Sequence, residues 1–533
     1  MKTKRIEIRR TVPLSGNIPR LKKITLALFL TALCIIPDLQ AQELNIGTAA
    51  ADITPALPVA LKGQFYLRIA QTNETPLTAN VVALESRLGN RSSDEAIMVS
   101  CDLNCIPDKL LKMVREVVHK QMPELDVRKI FLNATHTHTA PVLDNDLDQN
   151  FRYQVPKEGV LQVEEYDNYF ARRVSEAIVK AWKNRRPGTV SWGLSHAAVA
   201  NNRRVVYDDH PAQKHGKPYR TQMSPYGFFV DGSTQIYGKT NLPAFLNLEG
   251  IEDNDVNTLF FWDKSGKLIA VTINVPCPAQ EVSDRYTVNA DYWHPVREKL
   301  KQRFGADLCV LGWIGAAGDQ SPWPMYRKAA EERMIKLRNL SRLEEIARRI
   351  VLAVEEAYET VKDDRYANVQ LIHKVETLTL PVRIVTEQEY LYAKAESDKA
   401  AAQIAADSTV AKDVLAYMTW NRDVVKRFEK QGNGPNPKIE TEVHVLRIGN
   451  IVICTNQFEL FTDYGMRMQA RSNALQTFVI QLTGAGSYLP TEKAVKGGGY
   501  SAVIQSNLVG PEGGQILVDH TVELINSMFI VPK

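Results

Sequence analysis

The chain has 533 residues, 44% hydrophobic and 24% charged, the make-up of an ordinary globular protein long enough to bury a large core. Its 65 Lys and Arg against 61 Asp and Glu give a formal net charge of +4, but eight of those bases and only two of the acids lie in residues 1–41, leaving 57 bases against 59 acids beyond. That balance argues against a nucleic-acid partner, which a basic face would attract.

The first 41 residues read as an export signal. Lys22 and Lys23 precede the 13-residue apolar run ITLALFLTALCII (24–36), Pro37 breaks it, and LQA ends at Ala41. A basic leader and an apolar core too short to span a bilayer are the parts of a signal peptide. The expectation is an exported protein, periplasmic or secreted, with residues 42–533 as a single domain. Five cysteines follow, Cys101, Cys105, Cys277, Cys309 and Cys454. An odd number leaves at least one thiol unpaired, and Cys101 and Cys105 are close enough in sequence to invite a disulfide.

Beyond the signal, VVALESRL (81–88) and AIMVSCDLNCI (96–106) are strand-like and DKLLKMVREVVHKQM (108–122) has a helical period. VRKIFLNATHTHTA then begins as a strand. Residues 165–184 predict an amphipathic helix and 188–193 a strand. The polar, turn-rich stretch 198–254 predicts long surface loops, which at this length tend to be functional. NTLFFWDKSGKLIAVTINV (257–275) predicts a hairpin turning at Lys264, Ser265 and Gly266. Helices are expected over 324–361 and 387–430, and strands resume at 441–455 after the break QGNGPNPK (431–438). The alternation predicts an α/β fold, a large mixed sheet flanked by helices. It puts NATHTHTAP (133–141) at a strand's C-terminal end, where such sheets place their sites.

In an extended strand, residues i and i+2 share a face. His136 and His138 are therefore expected side by side, as two metal ligands or as one ligand and one acid–base group. Alone, the H-x-H pattern is weak. In GWIGAAGDQSPWP (312–324), Gly315, Ala316, Ala317 and Gly318 permit close backbone approach, and Asp319 to Pro322 predicts a tight turn. It is not a nucleophile elbow, which needs G-x-S-x-G. Taken singly, Arg203 reads as a loop ion pair, Tyr488 as a half-buried core aromatic and Glu459 as a solvated strand-end charge.

Read together and in order, GTAAADITP (47–55), NATHTHTAP, NNRRVVY (201–207), GAAGDQSP (315–322), FELFTDYG (458–465) and GSYLPTEKAVKGGGYSA (486–502) resemble the neutral/alkaline non-lysosomal ceramidase family over about residues 45–510. The resemblance implies a ceramidase-like catalytic domain and a zinc amidase that cleaves the N-acyl bond of ceramide to sphingosine and fatty acid. It implies His136 as a zinc ligand and His138 as a histidine beside the reacting centre. Arg203 would face that centre, Ser321 is the serine of the G-D-x-S-P motif, and Tyr500 would stabilise the oxyanion. Glu459 and Tyr488 match a carboxylate and a tyrosine zinc ligand. One position departs: Cys277-Pro278 stands where the family has its second zinc histidine ahead of Asp291. A thiolate also binds zinc, so Cys277 is expected as a ligand, with Gln280 and His294 as rival donors.

Ser321 is left as either a covalent nucleophile or a hydrogen-bonding group near a zinc-activated water. No counterpart is expected for the C-terminal immunoglobulin-like domain of longer family members. The expected partner is a lipid or other small substrate, with transient contact to a membrane surface. Two alternatives stand: the same scaffold hydrolysing another amide, ester or glycan-linked substrate, and a non-catalytic binding protein with a degenerate metal site.

Overall fold

Period-two alternation sorts the side chains of this fold into layers. Val81 and Ala83 face helices, whereas Val82 and Leu84, on the same strand, face a second sheet. Phe260 and Trp262 against Leu259 and Phe261, and Val443 and Val445 against Leu446 and Ile448, divide in the same way. Strands buried on both faces must lie between other layers. The result is helix, sheet, sheet, helix. The structure, a computed structural model, describes residues 42–143, 153–208, 233–432 and 436–529; the export signal expected over 1–41 lies outside them.

The larger sheet has eight strands in the order Cys309–Ile314, Leu268–Val275, Asp255–Asp263, Arg186–His196, Glu43–Asp52, Thr78–Leu88, Arg91–Cys101, Ile130–Ala134. Its pairs are antiparallel except the outermost on each side, which are parallel. The second sheet runs Leu371–Pro381, Lys438–Ile448, Ile451–Thr455, Gln476–Ile480, and its last pair is parallel too. Asp108–Gln121 and Val163–Lys183 cover one region of the larger sheet and Trp293–Phe304 and Arg342–Val361 another. Thr462–Arg471 and Pro511–Ser527 cover the smaller sheet. The mixed α/β expectation holds, with its strands divided between two sheets. No described helix is long and apolar enough to cross a membrane.

Several expectations change. The strand carrying NATHTHTAP ends at Ala134, and His136 takes a left-handed φ of 64°, so strand alternation does not align the two histidines. The 198–254 stretch is only partly surface loop; its residues 209–232 lie outside the described residues. Asn201–Asn202, Arg204–Tyr207, Thr234–Ile236 and Phe245–Leu248 form short strands, and Arg203 and Arg204 are buried. Arg204 tolerates burial because Glu249 pairs with it at 2.7 Å, the carbonyls of Ala494 and Gly498 accept from its Nη2 and the Ser501 hydroxyl accepts from its Nη1. Finally, Cys101, Cys105, Cys277, Cys309 and Cys454 are all free and buried, so Cys101 and Cys105 are not bridged.

The expected helix over 324–361 is two helices, Lys328–Arg338 and Arg342–Val361. They are separated by Asn339 at φ 53° and a Ser341/Glu344 capping box. The 387–430 region is a helical hairpin, Glu387–Ala406 and Ala411–Gln431, entered through a Thr386/Glu389 capping box. It docks through Trp420, whose ring packs 5.6 Å from Phe65 and 5.9 Å from Tyr500.

Candidate functional site

The C-terminal ends of the parallel strand pairs of the two main sheets converge. Gly315 N–H donates to Val275 O, Gln481 N–H to Ile314 O and Ala134 N–H to Leu482 O, which ties the two sheets together at this end. The loops leaving these strands carry His136 and His138, Gln280, Ser321, Glu459 and Tyr488.

The histidine loop is held from below. Thr135 donates its hydroxyl to Asp102, which is locked by a buried two-bond pair with Arg297 at 2.7 and 2.9 Å. His136 Nδ1 lies 2.6 Å from the carbonyl O of Asn104. A carbonyl only accepts, so Nδ1 carries a proton and Nε2 turns to Glu459, 3.3 Å from its Oε2. The rings of His136 and His138 meet edge to face at 4.9 Å. Arg68, fully buried, donates to the carbonyls of His138, Lys62, Ser283 and Arg285 and so staples this loop to its neighbours. Gly63, at φ 112°, covers His138 so closely that a Cβ there would lie 2.4 Å from the imidazole Cγ.

Glu459 and Tyr488 face each other in a two-residue parallel ladder, and the Tyr488 hydroxyl hydrogen-bonds the Glu459 carboxylate. Gly318 of the GAAGD segment donates its N–H to Leu460 O; a Cβ there would sit 2.3 Å from Glu459 O. Close approach is the reason for that glycine. Asp319 accepts from Thr462 N–H and Oγ1 and from Asn202 Nδ2. It thereby joins the start of the helix Thr462–Arg471 to the short strand Asn201–Asn202, next to Arg203.

Arg203 lies at the centre. Its Nη1 donates to Tyr237 OH at 2.9 Å and Gln280 Oε1 at 3.2 Å, and its Nη2 to Gly318 O at 3.0 Å and Tyr488 OH at 3.1 Å. Its Nε is buried with no partner among the described residues. Tyr237 OH in turn reaches Ser321 Oγ at 3.3 Å, and Gln280 Nε2 lies 2.8 Å from His138 Nε2. Ser321 forms, with Gln320, a two-residue strand against Asn201–Asn202, and its Oγ also accepts from Trp323 N–H at 3.1 Å. Tyr500 stacks edge-on against Tyr488 at 5.6 Å.

Electrostatics follow from burial and from Arg203. Burial holds the His138 pKa well below the usual imidazole value, and His136, Arg68, Arg203 and Lys62 push it the same way. His138 is therefore neutral. Burial acts to raise Glu459, but His136, Arg203 and the Tyr488 hydroxyl outweigh it and hold the carboxyl below its ordinary range. Burial raises Tyr488 far above the ordinary phenol value, against the opposing pull of Arg203. Burial also acts against the charge of Arg203, but Tyr237, Tyr488 and Glu459 more than compensate and keep it cationic.

The structure thus gathers His136, His138, Arg203, Ser321, Glu459, Tyr488 and Tyr500. It does not bring Cys277 to them. Cys277 is packed in an apolar cluster with Val275, Tyr292 and Trp293, and its Sγ approaches Val199 O at 3.4 Å. Burial, with Asp291 nearby, pushes its thiol pKa far up. His294, at the start of Trp293–Phe304, has Glu298, Arg297, Asp102 and Lys301 as its charged neighbours. Among the described residues no three His, Cys, Asp or Glu side chains form a metal-holding group. A metal here depends on Tyr488 as third donor beside His136 and Glu459. Three donors, with the far nitrogen of His136 on a backbone carbonyl, fit a catalytic zinc ion, which keeps one position open.

Tyr237 and Asn104 were missed by sequence reasoning. Tyr237 lies in the turn-rich 198–254 stretch without any motif, and Asn104 contributes only its backbone.

No family model and no curated protein matches the sequence. Among solved structures, a neutral ceramidase from Pseudomonas aeruginosa matches with a TM-score of 0.61 at 16% identity, covering 92% of this chain and 76% of that one. A ceramidase complexed with C2 matches with a TM-score of 0.63 at 14% identity, covering 92% of this chain and 77% of that one. The chain has the fold of the neutral ceramidases.

Proposed function

We propose that this protein is an exported hydrolase that cleaves an N-acyl amide, with ceramide-type lipids as its first substrate class and zinc as its metal. The observation that carries this reading is the buried, cationic Arg203, set between the partners of His138 and Ser321 and bonded to Tyr488. A fixed, buried cation whose partners are already ordered suits the oxyanion formed when an acyl carbon is attacked.

Zinc, held by His136, Glu459 and Tyr488, would supply Lewis acidity and an acidified water. Neutral His138 lies beside the reacting centre with its Nε2 on Gln280, and Tyr500, stacked on Tyr488, stands with Arg203 as a second oxyanion donor. Ser321 acts by donation. Its Oγ already accepts from Trp323 N–H and Tyr237 OH, so its own proton is the group left to offer. His138 Nε2 is engaged by Gln280, and an activated serine nucleophile needs a base at that distance. This geometry supports Ser321 as a hydrogen-bonding residue.

One observation favours a second substrate class on the same scaffold. A cavity of about 230 Å³ beside the docked hairpin is lined by Tyr392, Tyr417 and Trp420, and also by Arg383, Glu389 and Gln505. Trp420 packs on Tyr500. Aromatic faces mixed with polar groups suit an acyl compound bearing a polar or glycan-like moiety.

The test uses the purified protein, its zinc content measured, with N-acylsphingosines of several chain lengths and with polar N-acyl and ester substrates in detergent. Amide hydrolysis that needs zinc and disappears in His136→Ala supports the first reading. Turnover restricted to the polar substrates moves the assignment to the second. No turnover together with no stoichiometric zinc removes both and leaves a binding protein.

A further inference from the structure

We infer that Arg203 sets the direction of the hydrogen bonds at both His138 and Ser321, through two positioning residues, Gln280 and Tyr237. The inference builds on the proposed hydrolase site but begins from donor chemistry alone. A guanidinium has five N–H donors and no acceptor. Each partner of Arg203 must therefore accept, and whatever proton that partner owns points away from the arginine.

At Gln280 this settles the amide. Oε1 faces Arg203 Nη1 at 3.2 Å, so the NH2 group faces His138. Gln280 Nε2, 2.8 Å from His138 Nε2, can only donate. His138 Nε2 must then carry a lone pair, and in the neutral ring the proton sits on Nδ1. A glutamine at this place thus fixes one of two tautomers of the histidine and keeps its Nε2 unprotonated. Gln280 is buried and its own N–H is spent on Pro278 O, so the side chain has little freedom to turn.

At Tyr237 the same logic runs the other way. The phenol oxygen accepts from Arg203 Nη1 at 2.9 Å, so the phenol proton goes to Ser321 Oγ at 3.3 Å. With Trp323 N–H as a second donor, Ser321 is made a donor to whatever lies in the site. Tyr237 is held for this by its own N–H, which donates to Arg203 O, and by its ring against Trp323. One cation therefore passes opposite instructions to two groups: His138 is an acceptor, Ser321 a donor. A carbonyl oxygen in the site needs the second, while the first holds the His138 ring in one tautomer.

Nitrogen-15 NMR of selectively labelled histidines tests the His138 arm without any substrate, at mildly alkaline pH, with His138 assigned by the resonance lost in His138→Asn. The expected wild-type spectrum has a bare Nε2 and a protonated Nδ1. Gln280→Glu replaces the donor by a carboxylate that only accepts, so the proton is expected to move to Nε2. A wild-type His138 protonated at Nε2, or a folded Gln280→Glu protein with Nε2 still bare, overturns the arm. The wild-type spectrum alone decides if that variant does not fold.

The Ser321 arm is read in turnover. Tyr237→Phe is expected to lower kcat roughly tenfold with KM nearly unchanged. The double variant Tyr237→Phe/Ser321→Ala should be no slower than Ser321→Ala alone, because the tyrosine acts only through the serine. Independent, multiplying losses, or an unchanged kcat in Tyr237→Phe, overturn it. Should no substrate be found, the hydrolase reading fails while the tautomer of His138 still answers for the relay.

Discussion

At the scale of single residues, two positions decide what this site can be. His136 is aimed by the Asn104 carbonyl, which takes one ring proton and leaves the other nitrogen toward Glu459. Cys277, at the position where the resemblance expects a second zinc histidine, points into an apolar cluster where its thiol stays protonated. The two have opposite expected responses. Cys277→Ala should keep full zinc stoichiometry and lose only about 1 kcal/mol of stability, the ordinary effect of trimming a small buried group. His136→Ala should lose the metal. Metal analysis of both proteins, with a denaturant titration of the first, is the check; zinc lost from Cys277→Ala would restore the thiolate as a ligand.

At the scale of elements, most strands and helices were legible because their periods are strong. Asp108–Gln121, Val163–Lys183 and the hairpin Asp255–Asp263 with Leu268–Val275 fall within a few residues of the expected bounds. The site was legible only as a set of residues. The two histidines do meet, but through a left-handed turn at His136, which no alternation pattern encodes. Arg203 and Tyr237 lie at the ends of short strands in a stretch that reads as loop, and strands of two to four residues are too short to show a period. The division into two sheets was hidden as well, since a strand buried on both faces does not reveal what covers it.

The helical hairpin was legible, but its role was not. Trp420 is nearly buried and reaches the site through Tyr500. Trp420→Ala should cost about 3 kcal/mol of local stability. Amide-exchange protection should fall across Glu387–Gln431 and around Tyr500, with the central sheet strands unchanged. Uniform loss of protection would show instead that the hairpin is part of the global core.

At the scale of the whole molecule, stability against pH records which charges folding has buried. Glu442 has its pKa brought down to about 2; burial opposes this, but hydrogen bonds from His444 and Arg115 prevail. A depressed acid contributes stability above its unfolded pKa, 4.5, and loses it as pH falls toward 2. Asp291 is the opposite case. It is fully buried beside the Cys277 loop, and burial raises its carboxyl from 3.8 to about 7 although Val282 N–H and Tyr292 N–H bond to it. Between pH 3.8 and 7 the folded chain holds a proton that the unfolded chain has released. Stability should therefore fall with rising pH through that window, by up to about 1.4 kcal/mol per unit from this group, and level off above it. Asn has the shape of the protonated form and tolerates the φ of 54° at this position. Asp291→Asn must turn its amide nitrogen toward one of those two N–H donors, so it should be about 1–3 kcal/mol less stable than wild type near pH 4 but should abolish the slope between pH 4 and 7. Denaturant unfolding at a series of pH values measures this directly; parallel curves for the two proteins would mean that Asp291 is ionised in the folded state.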